Sequence, residues 1–178
     1  KQTSSGLARD YITQWSYGIG ETWTLLIPNF KGGASSPLSA SETAMSEANP
    51  MYSSLYGSLT QYFGDQPMTA GPVYVGAFVL FLFVLGCFIV KGPIKWALLG
   101  ATVFSILLSW GKNFMPLTDF FIDYVPMYNK FRAVSSILVI AEFTIPLLAI
   151  FALKKIMDEP TVLRAHLKAL GISLLLTA

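Results

Sequence analysis

Long apolar runs separated by short polar segments dominate the chain from residue 72 onward. Three runs cover residues 72–90, 94–110 and 133–153, and a fourth covers residues 169–178. At a rise of about 1.5 Å per residue, the first three runs reach across most or all of a hydrocarbon core about 30 Å thick. The pattern therefore predicts three complete transmembrane helices and the start of a fourth.

Lys and Arg are distributed unevenly between the polar segments, and this sets the predicted orientation. Six of them lie in or next to the loops 91–93 and 154–168, against three in the loop 111–132. Because short cytoplasmic loops are enriched in Lys and Arg, the first two loops are predicted to be cytoplasmic. Residues 1–71 and 111–132 then lie outside, which is the periplasm for a protein of the bacterial inner membrane.

The segment before the first run is rich in Trp, Tyr and Phe, which favours a folded cap over a linker. Short helices are predicted at residues 8–17, 21–27 and 50–63, and residues 35–50 are predicted to form a loop. The predicted fold class is therefore an all-α polytopic membrane protein. It has three transmembrane helices and the start of a fourth, with a mainly helical periplasmic cap on residues 1–71.

The composition agrees with a membrane protein and excludes several other classes. Apolar residues make up 53% of the chain and charged residues 12%, against about 25% charged in a soluble domain, and the net charge is +2. These values exclude a disordered chain, a nucleic-acid binder with a basic face and an ordinary water-soluble globule. The chain starts at Lys1 and is still apolar at residue 178, so it is expected to be an internal piece of a longer polypeptide.

Glu142 is the one ionisable residue in the middle of a predicted span. Placing a charge at the centre of a bilayer costs at least about 2.5–3.5 kcal/mol, so an acid there is a candidate for function. The alternative is a protonated Glu142 that is hydrogen-bonded to a neighbouring helix. Pro146 follows one turn later and is expected to kink the helix.

Two pairs of charged residues precede the third run on its outer side. Lys130 and Arg132 lie directly before it, where a planar guanidinium can hold a lipid phosphate. The alternative is an ordinary anchor among lipid headgroups. Asp119 and Asp123 are four residues apart and share a face if this segment is helical. Such a pair can bind a divalent metal ion or act as a base, or it can be a solvated face.

Three stretches of sequence, taken together, resemble the YfhO-like integral membrane proteins of Bacteroidetes bacteria. They are residues 14–33, which include Pro-Asn-Phe-Lys-Gly, residues 62–76, which include Tyr-Phe-Gly-Asp-Gln-Pro, and residues 124–132, which end in Phe-Arg. The resemblance covers most of residues 9–157. The family's Pro-Ser-Arg after Phe-Arg is replaced by Ala-Val-Ser-Ser at 133–136, which lacks the second arginine.

The YfhO-like family is similar to the GT-C glycosyltransferases, and the resemblance implies a function. Such enzymes transfer a sugar from a polyprenyl-phosphate donor at the outer face of the membrane, here to a glycan or glycolipid of the cell envelope. The resemblance implies that Arg132 and Lys130 contact the donor phosphate. Glu21 and Asp65 are further candidates for catalysis and for contact with the acceptor or a metal, although Glu21 also suits a helix N-terminus. The family's catalytic carboxylate normally lies in the first outer loop, so it is expected upstream of Lys1.

Two other classes of function remain open. A transporter or flippase for a lipid carrier fits Glu142 and the expected kink at Pro146, because such a span can couple protons to movement. A non-catalytic assembly subunit would use its aromatic cap to bind a partner protein. The expected partners of the transferase are membrane lipid, the polyprenyl-phosphate sugar and the acceptor glycan or glycolipid, with no nucleic acid. A divalent metal ion is the one cofactor considered.

Overall fold

The computed structural model describes residues 6–71 and 73–177. Residues 1–5 of the predicted cap, Pro72 at the start of the first predicted span and Ala178 at the end of the last lie outside the described residues. The protein is mostly helical, with 68% of the described residues in helices.

Residues 6–71 fold into short elements, and residues 73–177 fold mostly into longer helices. The short elements are α1 (Arg9–Ile12), β1 (Gly32–Pro37), α2 (Glu42–Glu47), α3 (Ser53–Tyr56) and β2 (Thr60–Tyr62). The helices that follow are α4 (Ala77–Ile89), α5 (Pro93–Ser109), α6 (Met115–Tyr124), α7 (Leu138–Asp158), α8 (Thr161–Ala165) and α9 (Leu167–Thr177). Short stretches of 3-10 helix lie between them at Thr13–Trp15, Gly20–Leu25, Leu38–Ala40, Pro50–Tyr52, Gly111–Phe114, Tyr128–Lys130 and Val134–Ile137.

α7 is the central helix and packs against α4 and α5. Gly86 of α4 permits a close approach, because a Cβ there would lie 3.1 Å from the Leu148 carbonyl oxygen of α7. The hydroxyls of Thr102 in α5 and Thr144 in α7 are 2.6 Å apart and share a hydrogen bond. These contacts fix α7 against the two shorter helices. The buried core around them includes Leu82, Phe83, Leu138, Ile145 and Leu148.

The prediction of three transmembrane helices and the start of a fourth is wrong. Within the described residues, one helix is long and apolar enough to cross a membrane, and it covers Val134–Asp158 when the turn before α7 is included. A second would require α5 and the segment Gly111–Tyr124 to form one span, but these are bent by 108°. α4, α5 and α9 contain 13, 17 and 11 residues. At about 1.5 Å per residue they measure about 20, 26 and 17 Å, all below the roughly 30 Å of a hydrocarbon core.

The first predicted span, 72–90, gives a shorter helix because its beginning is extended. Residues 73–76 are not helical, and the Val75 N–H donates to the Leu25 carbonyl at 3.4 Å. Gly76 then adopts a φ of +97°, a conformation that favours glycine and is incompatible with a right-handed helix. The helix therefore begins only at Ala77.

The third predicted span, 133–153, corresponds to a longer helix than expected. The helical segment Val134–Asp158 has 25 residues and continues through Pro146. Only 39% of its most apolar stretch is buried inside the protein. Apolar side chains that remain uncovered are typical of contact with lipid, whereas the core helix of a soluble protein is covered on most sides. α7 with its preceding turn is thus the candidate membrane-spanning helix.

The cap contains a two-stranded antiparallel sheet that the sequence analysis did not predict. β1 and β2 pair with Gly32 opposite Tyr62 and with a bulge in the register. Part of the predicted loop 35–50 is therefore strand, and so is the end of the predicted helix 50–63. Gly32 permits the pairing, because its φ is +82° and a Cβ there would collide with the Gln61 carbonyl.

The two predicted outer segments meet at the N-terminal end of α7. The Lys112 N–H donates to the Ser16 hydroxyl at 2.8 Å, and the Leu7 N–H donates to the Asn129 carbonyl at 2.9 Å. The chain before α1 therefore packs on the chain after α6. This junction forms the candidate site.

Candidate functional site

A mainly apolar groove opens beside the first turn of the candidate membrane-spanning helix. Its volume is about 570 Å³, and its walls come from the end of α6 and the chain up to the start of α7. We call it the Arg132 groove, because Arg132 supplies its charge. The other side chains that line it are Val125, Pro126, Tyr128, Phe131, Ala133, Val134, Ser136, Ile137 and Val139.

Arg132 is held in place by two aromatic rings from the N-terminal segment. Its Nη1 donates to the Tyr11 hydroxyl at 2.9 Å. The guanidinium carbon lies 5.4 Å from the Tyr11 ring centroid and 5.9 Å from that of Trp15, which are cation–π distances. Among the described residues, Tyr11 is its only hydrogen-bond partner, so further N–H donors face solvent. A preorganised guanidinium with free donors is suited to an anion such as phosphate.

Lys130 is placed differently from Arg132. It ends the 3-10 turn Tyr128–Lys130, its side chain is exposed, and it is absent from the walls of the groove. The neighbouring groove residue Tyr128 is half-buried, and this burial raises the pKa of its hydroxyl. The structure therefore brings Arg132 to the groove, and it leaves Lys130 at the surface nearby.

Glu21 and Asp65, which are 44 residues apart in sequence, come together in the cap. A Cβ built on Gly18 would lie 2.8 Å from Glu21 Oε2 and 2.9 Å from Asp65 Oδ2, so both carboxylates point toward that position. The absence of a side chain at Gly18 leaves room for them. We call these two residues the acidic pair.

The two members of the acidic pair have different environments. Glu21 is 2% exposed, and its carboxylate accepts hydrogen bonds from the Gly18 N–H at 2.6 Å, the Asp65 N–H at 3.1 Å and the Tyr62 hydroxyl. Asp65 is exposed, and its Oδ2 accepts a single bond from Asn113 Nδ2 at 3.0 Å. Glu21 is thus a buried acceptor that organises the loop, while Asp65 is the accessible carboxylate.

Two tyrosines, the buried Tyr17 and the half-buried Tyr62, contact Glu21 and remain protonated at neutral pH. Burial raises the pKa of Tyr17 to about 12, although its hydrogen bond with Thr24 opposes the shift. Burial also raises the pKa of Tyr62, and the hydrogen bond that its hydroxyl donates to Glu21 raises it further. Tyr62 is therefore a fixed donor, held in place by β2.

The acidic pair and the Arg132 groove are neighbours. The Ser135 hydroxyl donates to Gln66 Oε1 at 3.4 Å, and these residues adjoin Ser136 of the groove and Asp65 of the acidic pair. The Gln66 N–H in turn donates to the Tyr62 hydroxyl at 3.0 Å. An exposed guanidinium and an accessible carboxylate therefore occur in one region at the N-terminal end of α7.

Asp119 and Asp123 share a face of α6, and together they bind Arg9. Asp123 Oδ1 accepts from Arg9 Nη2 at 2.6 Å, and Asp119 accepts from Nη1. The hydrogen bond with Asp123 raises the pKa of the Arg9 guanidinium. Among the described residues, no group of three or more His, Cys, Asp and Glu could hold a metal ion. The two acids therefore hold α1 against α6, and the residues present give no support to a metal site there.

Glu142 lies on the exposed side of α7 and has no hydrogen-bond partner within the part of the chain that the structure describes. The polar contact between helices is made instead by Thr144, whose hydroxyl pairs with Thr102. The hydrogen bond expected between Glu142 and a neighbouring helix is therefore not found among these residues.

Sequence reasoning missed several residues of the site. Tyr11 and Trp15, which hold Arg132, and Tyr62, which donates to Glu21, were not predicted as site residues, although Trp15 and Tyr62 lie in two of the stretches that resemble YfhO-like proteins. The signal that could have suggested them is the aromatic richness of the cap. No protein-family model, curated protein or solved structure matches the chain. The resemblance to YfhO-like proteins therefore stays a prediction.

Proposed function

We propose that the protein binds a polyprenyl-phosphate sugar in the Arg132 groove and takes part in the transfer of that sugar to a cell-envelope glycan or glycolipid. The observation that carries the proposal is the position of Arg132, in the wall of an apolar groove beside the first turn of the candidate membrane-spanning helix. An isoprenoid chain favours apolar walls, and its phosphate favours a guanidinium fork. The groove offers both at one place.

The acidic pair supports the transfer of the sugar to the acceptor, because this step needs a base. In an inverting transfer, the acceptor hydroxyl oxygen bonds to the anomeric carbon as the bond between that carbon and the phosphate oxygen breaks. The departing polyprenyl phosphate takes the bonding electron pair, and a base takes the hydroxyl proton. Arg132 would stabilise the charge on the phosphate. Asp65 is our candidate for the base, because it is accessible and adjoins Gln66, which contacts the start of α7.

The same proposal places the protein in a bacterial inner membrane, with the N-terminal end of α7 at the periplasmic face. Both predicted outer segments pack at that end of the helix, which is consistent with one common side. Lys154 and Lys155 lie near the other end, and basic residues are favoured on the cytoplasmic side.

A transfer assay with variants of Arg132 tests the proposal. Lysine keeps the charge but loses the planar fork, so Arg132→Lys should lower transfer from a radiolabelled polyprenyl-phosphate sugar. Loss of one charged hydrogen bond, worth about 1.5–3 kcal/mol, corresponds to a reduction of roughly 10- to 150-fold. Lys130→Gln should cost less, because that ammonium is solvated and outside the groove walls. If an Arg132→Ala variant inserts normally and transfers sugar at the wild-type rate, the proposed phosphate contact is contradicted. Arg132 would then be only an anchor among lipid headgroups.

A further inference from the structure

A second charged cavity lies at the opposite end of α7. It has a volume of about 270 Å³ and is formed where the end of α4 and the start of α5 meet the end of α7. Three lysines line it, Lys91, Lys154 and Lys155, together with the acid Asp158. Its apolar wall consists of Val90, Ile94 and Phe151. We call it the lysine pocket.

The charges in the lysine pocket are only partly balanced. Lys155 Nζ donates to Glu159 at 2.6 Å, one turn along the chain, and this bond lowers the pKa of the Glu159 carboxyl. Lys91 and Lys154 are exposed and form no ion pair with any described residue. The Lys91 charge also acts on the Glu159 carboxyl. Three lysines and two acids, Asp158 and Glu159, therefore leave a net charge of +1 at the lysine pocket, so it attracts an anion.

The distance along α7 places the lysine pocket at a second headgroup level. Twenty residues separate Val134, at the start of the helical segment, from Lys154. At about 1.5 Å per residue this is about 30 Å, which matches the thickness of a hydrocarbon core. When the turn that contains Val134 lies at one membrane surface, the lysines lie at the other. A cavity at that level has water on one side and acyl chains on the other.

We propose that the lysine pocket is a binding site for an anionic glycerophospholipid, whose phosphate lies between Lys91 and Lys154 and whose acyl chain lies along Phe151 and Ile94. Basic pockets between helices at a membrane surface are suited to such headgroups. The apolar wall distinguishes a lipid from free phosphate, which would gain nothing from Phe151. The site is separate from the Arg132 groove, because the two lie at opposite ends of α7.

Photolabelling with peptide mapping tests this site. The protein is placed in phosphatidylcholine nanodiscs that contain phosphatidylglycerol with a photoreactive headgroup, and the labelled peptides are identified. We expect label on the peptides that contain residues 90–95 and 151–158. In the Lys91→Gln/Lys154→Gln double variant, labelling of these peptides should fall at least tenfold. Each lysine near an anionic surface contributes about fivefold in affinity. Both side chains are exposed, so folding should be preserved.

Matched controls distinguish a specific lipid-binding site from general attraction between charges. Arg164→Gln removes a positive charge that follows α7 but lies outside the lysine pocket, and it should change this label less than twofold. Equal labelling by a photoreactive phosphatidylcholine, or an equal loss with Arg164→Gln, would overturn the proposal. So would unchanged labelling in the double variant. Loss of the label in excess inorganic phosphate, at matched ionic strength, would assign the pocket to free phosphate instead.

Discussion

At the scale of single residues, burial separates the roles of two neighbouring carboxylates. Glu21 is almost fully buried and receives hydrogen bonds from two backbone N–H groups and from Tyr62. Asp65 is exposed, and its carboxylate accepts one bond, from the side-chain amide of Asn113. A buried carboxylate with matched donors stabilises a loop, whereas an accessible one can exchange a proton with a substrate. The same pair therefore contains one structural acid and one candidate for chemistry.

These different roles predict that substitution of Glu21 mainly lowers stability, whereas substitution of Asp65 mainly lowers activity. Glu21→Ala leaves the Gly18 and Asp65 N–H groups without their acceptor, so it should lower the free energy of unfolding by about 2–3 kcal/mol. Asp65→Asn should change stability by less than about 0.5 kcal/mol, as expected for an exposed position. If Asp65 is the base, this variant should lower sugar transfer about 100-fold or more. The measurements are thermal unfolding and the radiolabelled transfer assay, and full activity of Asp65→Asn would remove it as the base.

The raised pKa values of Tyr17 and Tyr62 predict how stability changes with pH. An unfolded tyrosine loses its proton near pH 10, whereas folded Tyr17 keeps it until about pH 12, and the pKa of Tyr62 is also raised. Above pH 10 the unfolded state therefore binds fewer protons than the folded state, so stability falls as the pH rises toward 12. Unfolding measured at several pH values between about 9 and 12 should show this decline. Tyr62→Phe should make the decline less steep, and an identical slope in the two proteins would contradict the role given to Tyr62.

At the scale of elements, hydropathy located the apolar segments but not the conformation of their ends. α5 begins within one residue of its predicted start, because Pro93 favours the first turn of a helix. The run 72–90 does not begin as a helix, because Val75 bonds to Leu25 in the distant cap and Gly76 takes a positive φ. That long-range contact leaves no local trace in the pattern, and the prediction for the first span was wrong for this reason.

Only part of the candidate site could be predicted from the sequence. Arg132 was identified because a cation directly before an apolar run lies at headgroup level. The approach of Glu21 to Asp65 was not predictable, since it depends on the β1–β2 pairing that brings Tyr62 toward Glu21. The spacing of Asp119 and Asp123 placed them correctly on one helix face, but their partner Arg9 lies more than 100 residues away.

If α7 crosses the membrane, the chain on its two sides should differ in accessibility. Ser36 lies in β1 of the cap, and His166 follows α8, beyond the C-terminal end of α7. In a Cys87→Ala background, a Ser36→Cys protein should react with an impermeant thiol reagent in intact spheroplasts. A His166→Cys protein should react only after the membrane is permeabilised. Reaction of both in intact spheroplasts would contradict a membrane-crossing α7, and the reverse pattern would invert the proposed orientation.

At the scale of the whole molecule, the folded cap contacts the start of α7. The N-terminal segment supplies Tyr11 and Trp15, which position Arg132, and the cap supplies Asp65 close to the same turn. The Arg132 groove beside them is mainly apolar and opens where the candidate membrane-spanning helix begins. This arrangement leads to the central claim that the groove recognises a long-chain lipid through its phosphate.

Equilibrium binding of a polyprenyl phosphate and of the matching polyprenol tests that claim most directly, because the two ligands differ only in the phosphate. The wild-type protein should prefer the phosphate by roughly 10- to 150-fold, the range expected for a charged hydrogen bond to a guanidinium. Arg132→Ala should remove this preference and leave polyprenol binding nearly unchanged. Lys112→Ala, which removes a cation at the same end of α7 but outside the groove walls, should retain the preference. An Arg132→Ala protein that still prefers the phosphate as strongly as the wild type would contradict the account.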